Sequence, residues 1–337
     1  MEQRKTINYL KAFAIILVVV YHAWNLTGVS YMSMPSIRFS YALRTIHVPL
    51  FILIAGYLCH RQPLRSFYGK KIRRILVPFL LMSALKLLLN NILPTGYSHG
   101  SSLLSQLADA FVCGQLYWFC YCLLIMFALA PLLWDRKLLK ALLLILLIGI
   151  DLFLGIREIH LTDWLQLHNV LYYLPYFLLG MLFRELHFPG KFSTAGQKDK
   201  GTARKYRMLL SAAALLIGGI CGYMIFYRLV IFFYILDLLF GLSVMTLMYL
   251  LASFLGGLPF TLRFLDAAGR YSFQIMLLDP FFHAALYRLL SLFLQEGAVM
   301  VLLIAVPDLA LSYLLCKGLE KIPVLSGLLG LDLVQKN

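Results

Sequence analysis

Three groups of residues in this chain could do chemistry. Lys11 and His22 stand eleven residues apart in an apolar run. At about 3.6 residues per turn that is about three turns, so both side chains share one helix face, roughly 16 Å apart along the axis. A neutral imidazole accepts a proton near pH 7 and suits general-base work. A histidine in an apolar helix is also an ordinary hydrogen-bonded packing residue, and the residues alone leave both readings open. The second group is Lys70-Lys71-Ile72-Arg73-Arg74, followed by Ile75-Leu76-Val77-Pro78. These four cations are expected at or just before the first turn of a helix, where its partial positive charge would help them grip phosphates. They could equally anchor a helix end at the cytoplasmic face. The third is His47-Val48-Pro49-Leu50-Phe51, running on to Gly56-Tyr57. Pro49 is tolerated near a helix start, Gly56 lets a neighbouring helix come close, and His47 stands at a depth that His22 can share. Lys86, Asp151, Asp237 and Asp279 also fall in apolar surroundings. Ionisable groups at bilayer depth are costly and mark proton relays, substrate contacts or ion pairs.

The elements that must position these groups are membrane helices. The chain has 337 residues, 61% of them hydrophobic and only 13% charged, with a mean hydropathy of +0.83. A soluble domain carries about 25% charged residues, so lipid is the natural solvent for most of this chain. Spans are expected near 9–28, 41–60, 75–93, 116–134, 139–156, 169–186, 208–227, 229–253, 271–292 and 297–316. The fold class is therefore all-α: a polytopic membrane protein of about ten transmembrane helices, forming a single domain over 1–337 with a short tail at 317–337. With the N-terminus inside, twenty-three of the 30 lysines and arginines fall on the cytoplasmic side. That asymmetry places both termini in the cytoplasm.

The net charge of +15 does not point to nucleic acid, because the cations sit in short clusters between apolar runs where anionic headgroups select for them. The longest inner loop, about 187–207, reads as a solvated anchor. The six cysteines lie mostly in apolar runs without zinc-ligand spacing, so no metal site is expected. The first apolar run has no small-residue cleavage site and is expected to stay in place as a span.

Taken together and in order, these motifs resemble those of the acyltransferase-3 family of integral membrane acyltransferases. Asn8-Tyr9-Leu10-Lys11 through Tyr21-His22 is similar to the family's opening, in which a basic residue stands eleven positions before a histidine. His47-Val48-Pro49-Leu50-Phe51 through Gly56-Tyr57 resembles its second-span segment. Lys71-x-x-Arg74 before Ile75-Leu76-Val77-Pro78 resembles its basic pair ahead of span three. Tyr117-Trp118-Phe119 with Ala130-Pro131-Leu132-Leu133, and Gly269-Arg270-Tyr271-Ser272-Phe273 through Leu277-Leu278, resemble its later segments. Two positions depart from the pattern: Lys71 stands where arginine is common, and Asp279 stands where a histidine usually ends the late signature.

The resemblance implies a membrane acyltransferase. Its expected reaction is O-acetylation, with acetyl-CoA or another acyl-CoA arriving from the cytoplasm as cosubstrate and no tightly bound cofactor. The acceptor would be a hydroxyl of an envelope glycan or lipid-linked sugar. The resemblance assigns His22 to catalysis and Lys11, Lys71 and Arg74 to the acyl donor, and makes His47 a candidate substrate contact. Its setting would be the bacterial cytoplasmic membrane. The competing reading from the buried acids and Lys86 is a proton-coupled transporter or flippase for a sugar or amino acid, although the sequence shows no symmetry between halves.

Overall fold

The structure is a computed structural model that describes residues 2–92, 102–157, 159, 161, 164–186, 200–227 and 233–331. Most of the expected inner loop (187–199), Arg228 and Lys336 lie outside the described residues. Among the described residues all regular secondary structure is helical. In chain order the helices are α1 (Glu2–Leu26), α2 (Met34–Arg44), α3 (His47–Leu58), α4 (Leu64–Lys71), α5 (Val77–Ile92), α6 (Leu103–Leu107), α7 (Trp118–Leu133) and α8 (Lys137–Ile156). They continue with α9 (Leu167–Glu185), α10 (Lys200–Tyr227), α11 (Phe233–Gly256), α12 (Arg263–Arg270), α13 (Ser272–Leu290), α14 (Ala298–Leu319) and α15 (Pro323–Leu328).

Six stretches among the described residues are long and apolar enough to cross a bilayer: Gln3–Leu26, Met34–Leu58, Lys137–Ile156, Lys205–Tyr227, Ile235–Gly256 and Ala298–Leu319. The other expected spans, at 75–93, 116–134, 169–186 and 271–292, contain the helices Val77–Ile92, Trp118–Leu133, Leu167–Glu185 and Ser272–Leu290, which do not meet that measure. The second span starts earlier than its hydropathy suggests. Ser33 caps α2 by accepting a hydrogen bond from Ser36 N, and Pro35 sits in the first turn, where its missing N–H costs nothing. Large apolar side chains on α8 (Leu138, Leu142, Ile145, Phe153) and on α10 (Leu215, Leu216) are exposed. On a multi-pass membrane protein these are lipid-facing surfaces.

The chain divides into two compact units. Met1–Leu58 with Leu178–Cys316 form the first, and Cys59–Phe177 with Lys317–Asn337 the second. In the first unit α1 packs against α3, α11, α12 and α13. Tyr9, Ala12, Ala14, Ile15, Val19 and Ala23 on α1 are fully buried, as expected of a helix that is apolar on most of its circumference. Glycines set two of the closest approaches. A Cβ on Gly269 of α12 would overlap the backbone of Asn8, and one on Gly180 of α9 would overlap the backbone of Leu53 and Tyr57 on α3. Backbone cannot swing aside as a flexible side chain can. Gly269→Ala and Gly180→Ala are therefore each expected to cost about 3 kcal/mol, the upper part of the usual overpacking range. The thermal unfolding midpoint of the detergent-solubilised protein measures this, and an unchanged midpoint would contradict the close packing.

In the second unit α4 runs into α5 through a π-helical turn, Ile72–Leu76. Phe67 on α4 is fully buried, edge-on to the rings of Phe127 and Trp134. Lys140 is also buried and donates from Nζ to the Leu133 carbonyl at the end of α7, at 2.9 Å. That carbonyl is one of the helix-end acceptors left without an intrahelical donor.

Candidate active site

Two sets of contacts fix the height of α1 in the first unit. Near its start, Asn8 Nδ2 donates to Asp266 Oδ1 and Leu262 N donates to Tyr9 Oη, each at 3.0 Å. The close approach at Gly269 holds the same end of α1 against α12. Near its other end His22 meets α13. Asp279 and His283 lie four residues apart on α13, which puts them one above the other on a single helix face. His22 Nδ1 is hydrogen-bonded directly to Asp279 Oδ2. His283 Nδ1 stands 3.4 Å from the same oxygen, and the two imidazole rings are 5.8 Å apart between centroids. Pro280, next to Asp279, has no N–H and so leaves the Met276 carbonyl without its helical donor.

The burial of the pair is unequal. The Asp279 side chain is 0% exposed and that of His22 is 36% exposed. A buried carboxylate needs partners to be tolerated, and the two imidazoles supply them. The contact also fixes the tautomer of His22. Its Nδ1–H donates to Asp279, which leaves the Nε2 lone pair as the ring's acceptor. A histidine held in this way by a carboxylate, with its other edge accessible, can take a proton from a hydroxyl and stabilise the imidazolium that forms.

His22, Asp279 and His283 bring their ligand atoms within 4.8 Å of one another, a donor set that a divalent cation could use. Ligands around one zinc ion stand roughly 3.3 Å apart, given bonds of about 2.0 Å. His22 and Asp279 are in direct hydrogen-bond contact, an arrangement in which the same two groups can serve as an acid–base pair.

The remaining expected site residues have different surroundings. His47 is buried, donates from Nδ1 to the Leu43 carbonyl at 2.6 Å, and lies against the Tyr21 ring at 4.5 Å. It is thus held by α2 and α1 and is not a partner of Asp279. Lys11 is half-buried on α1, on the face expected from its spacing to His22. Lys71 and Arg74 belong to the second unit. The expectation that their cluster sits at a helix N-terminus does not hold. Lys71 ends α4, and Arg73 and Arg74 lie in the π turn that leads directly into α5, so backbone N–H groups there already have helical partners. The Lys71 ammonium lies 3.5 Å from the centroid of the Phe127 ring, a cation–π contact. Gly330, at φ 65°, brings the chain after α15 close to the backbone of Arg73 and Arg74. A π turn inserts one extra residue into a helix and re-aims the side chains around it, and such turns are frequent at functional sites.

Of the other ionisable groups expected at depth, Asp237 is buried and Lys86 is half-buried. Tyr41 Oη donates to Asp237 Oδ2 at 2.5 Å, and Lys86 Nζ lies 5.3 Å from the Tyr117 ring centroid. Two side chains near the dyad are not among the sequence candidates, His283 and Asp308. His283 had a signal available in its spacing of four from Asp279. Asp308 had one in being an acid within the apolar run 297–316.

A family model described as an acyltransferase domain matches residues 4–317 of the chain. No curated protein and no solved structure matches it.

Proposed function

The chain belongs to the acyltransferase-3 family of membrane acyltransferases, and on that premise we propose that it transfers an acyl group, in the first instance acetyl, from acyl-CoA to a hydroxyl of an envelope glycan or lipid-linked sugar. The observation that carries the reading is the dyad of His22 and Asp279, with the carboxyl buried and the imidazole accessible. In the reaction, His22 Nε2 removes the proton of the acceptor hydroxyl as its oxygen attacks the thioester carbonyl. The new C–O bond forms, the C–S bond breaks, and the proton passes from the imidazolium to the departing CoA thiolate. Asp279 holds the ring and balances its charge in the interval. The setting is the bacterial cytoplasmic membrane, with the donor arriving on the face richest in lysine and arginine.

In this reading Lys11, Lys71 and Arg74 contact the acyl donor, whose phosphates suit ammonium and guanidinium groups. Lys71→Ala and Arg74→Ala are each expected to raise KM for acyl-CoA roughly tenfold with little change in kcat, the signature of lost ground-state binding. Initial rates over a range of acyl-CoA concentrations check this, and an unchanged KM in both variants would remove these residues from the donor site.

The reading is tested with inverted membrane vesicles that contain or lack the protein, supplied with radiolabelled acetyl-, succinyl- and longer acyl-CoAs. Label in the glycan or lipid fraction only where the protein is present supports it. No transfer from any donor, in vesicles that also carry the native acceptor, would overturn it in favour of a transporter.

A further inference from the structure

Asp308 on α14 is fully buried in the first unit and plays no part in the reaction described above. Its Oδ1 accepts a hydrogen bond from Ser312 Oγ at 3.0 Å, one helical turn away. Its carboxyl also lies within hydrogen-bonding reach of that of Asp279. Asp279 presents Oδ2 to His22 and His283. The two remaining oxygens, Asp279 Oδ1 and Asp308 Oδ2, are buried and receive no hydrogen bond among the described residues. Two charged carboxylates in contact away from water repel, and each orphaned acceptor loses a hydrogen bond it would have had in solvent. A single proton between the two carboxyls removes both penalties. It turns one acid into an O–H donor to the other, and the pair then carries one negative charge. Asp279 already presents its other oxygen to two imidazole rings, whereas the other oxygen of Asp308 meets a hydroxyl, so the geometry points to Asp308 as the O–H donor of the pair.

Resting on the reading of His22 as the base, we propose that Asp308 is a positioning residue: as a carboxylic acid it donates a hydrogen bond to Asp279 and so fixes the carboxylate that orients His22. The reach of this bond extends the site from α1 and α13 to α14. It makes a chain of four groups, Ser312, Asp308, Asp279 and His22, each held by the one before it. It also gives the buried acid of α14 a role that lipid or packing alone does not, because an uncharged apolar residue would fill the same space at lower cost.

The test uses the full chain in vesicles and in detergent, with two variants of one residue. Asp308→Ala is expected to lower kcat by roughly ten- to a hundredfold with KM for acyl-CoA unchanged, as when a supporting hydrogen bond to a site residue is removed. Asp308→Asn keeps a donor to Asp279, an acceptor for Ser312 and the same net charge, and is expected to restore most of that loss. Independently of activity, the infrared difference spectrum of wild type against Asp308→Asn should contain the carbonyl stretch of a protonated carboxylic acid. Asparagine performing no better than alanine in folded protein, or the absence of that band, would overturn the proposal. If wild type transfers no acyl group at all, the reaction assigned to His22 fails, and the infrared measurement still decides where the proton is.

Discussion

Asp279→Asn is expected to lower kcat for acyl transfer by roughly 10³- to 10⁴-fold, the scale seen when the carboxylate behind a catalytic histidine is replaced by its amide. The KM for acyl-CoA should stay within about threefold, since the carboxyl is buried and out of reach of a substrate. The cause is the tautomer. Asp279 accepts from His22 Nδ1. An amide that turns its NH₂ to that nitrogen makes Nδ1 the acceptor and moves the ring proton to Nε2, where a base needs its lone pair. The amide also carries no charge to balance the imidazolium. Misfolding is not the expected cause, because replacing a buried charge by a neutral isostere is commonly tolerated. Label transfer at saturating acyl-CoA, with protein levels matched by immunoblot, measures the effect. A variant within tenfold of wild type would show that His22 works without Asp279.

His22→Gln is expected to lower transfer by roughly 10²- to 10⁴-fold, the range of general acid–base contributions. Glutamine can still donate to Asp279 but cannot carry a proton from the acceptor to the leaving group, so the variant separates packing from chemistry. His283, 3.4 Å from Asp279 Oδ2, remains as a partner for the buried carboxylate in this variant, which favours a folded, inserted protein. The accessibility of the His22 side chain allows a second measurement. His22→Ala should regain part of its activity when free imidazole is added, and Asp279→Asn should regain none. Activity of His22→Gln equal to wild type would leave His22 as a packing residue of α1.

Much of the frame was legible in the sequence. The eleven-residue spacing of Lys11 and His22 fixes a shared helix face without any tertiary information, and the structure places both on the uninterrupted helix α1. Hydropathy locates the membrane helices because a single physical property, transfer to lipid, dominates there. The site itself was legible only in part. Asp279 stood out as a departure from the family pattern. That the departure supplies the partner of His22 depends on how α13 packs on α1, which no local pattern encodes. His283 and Asp308 enter the site through the same packing. The π turn at Ile72–Leu76 was hidden for a related reason: its residues are ordinary helix formers, and the inserted residue reflects what packs around the turn. The position of Lys71 over Phe127 brings together α4 and α7, which the sequence separates by α5 and α6.

The central claim is that this chain moves an acyl group from acyl-CoA with His22 as the base. It is tested most directly in membrane vesicles from cells expressing wild type or His22→Ala at matched levels, given radiolabelled acetyl-CoA on the cytoplasmic face, with label counted in the envelope glycan and lipid fractions. The account predicts label in those fractions with wild type and almost none with His22→Ala. Equal labelling by the two would contradict it.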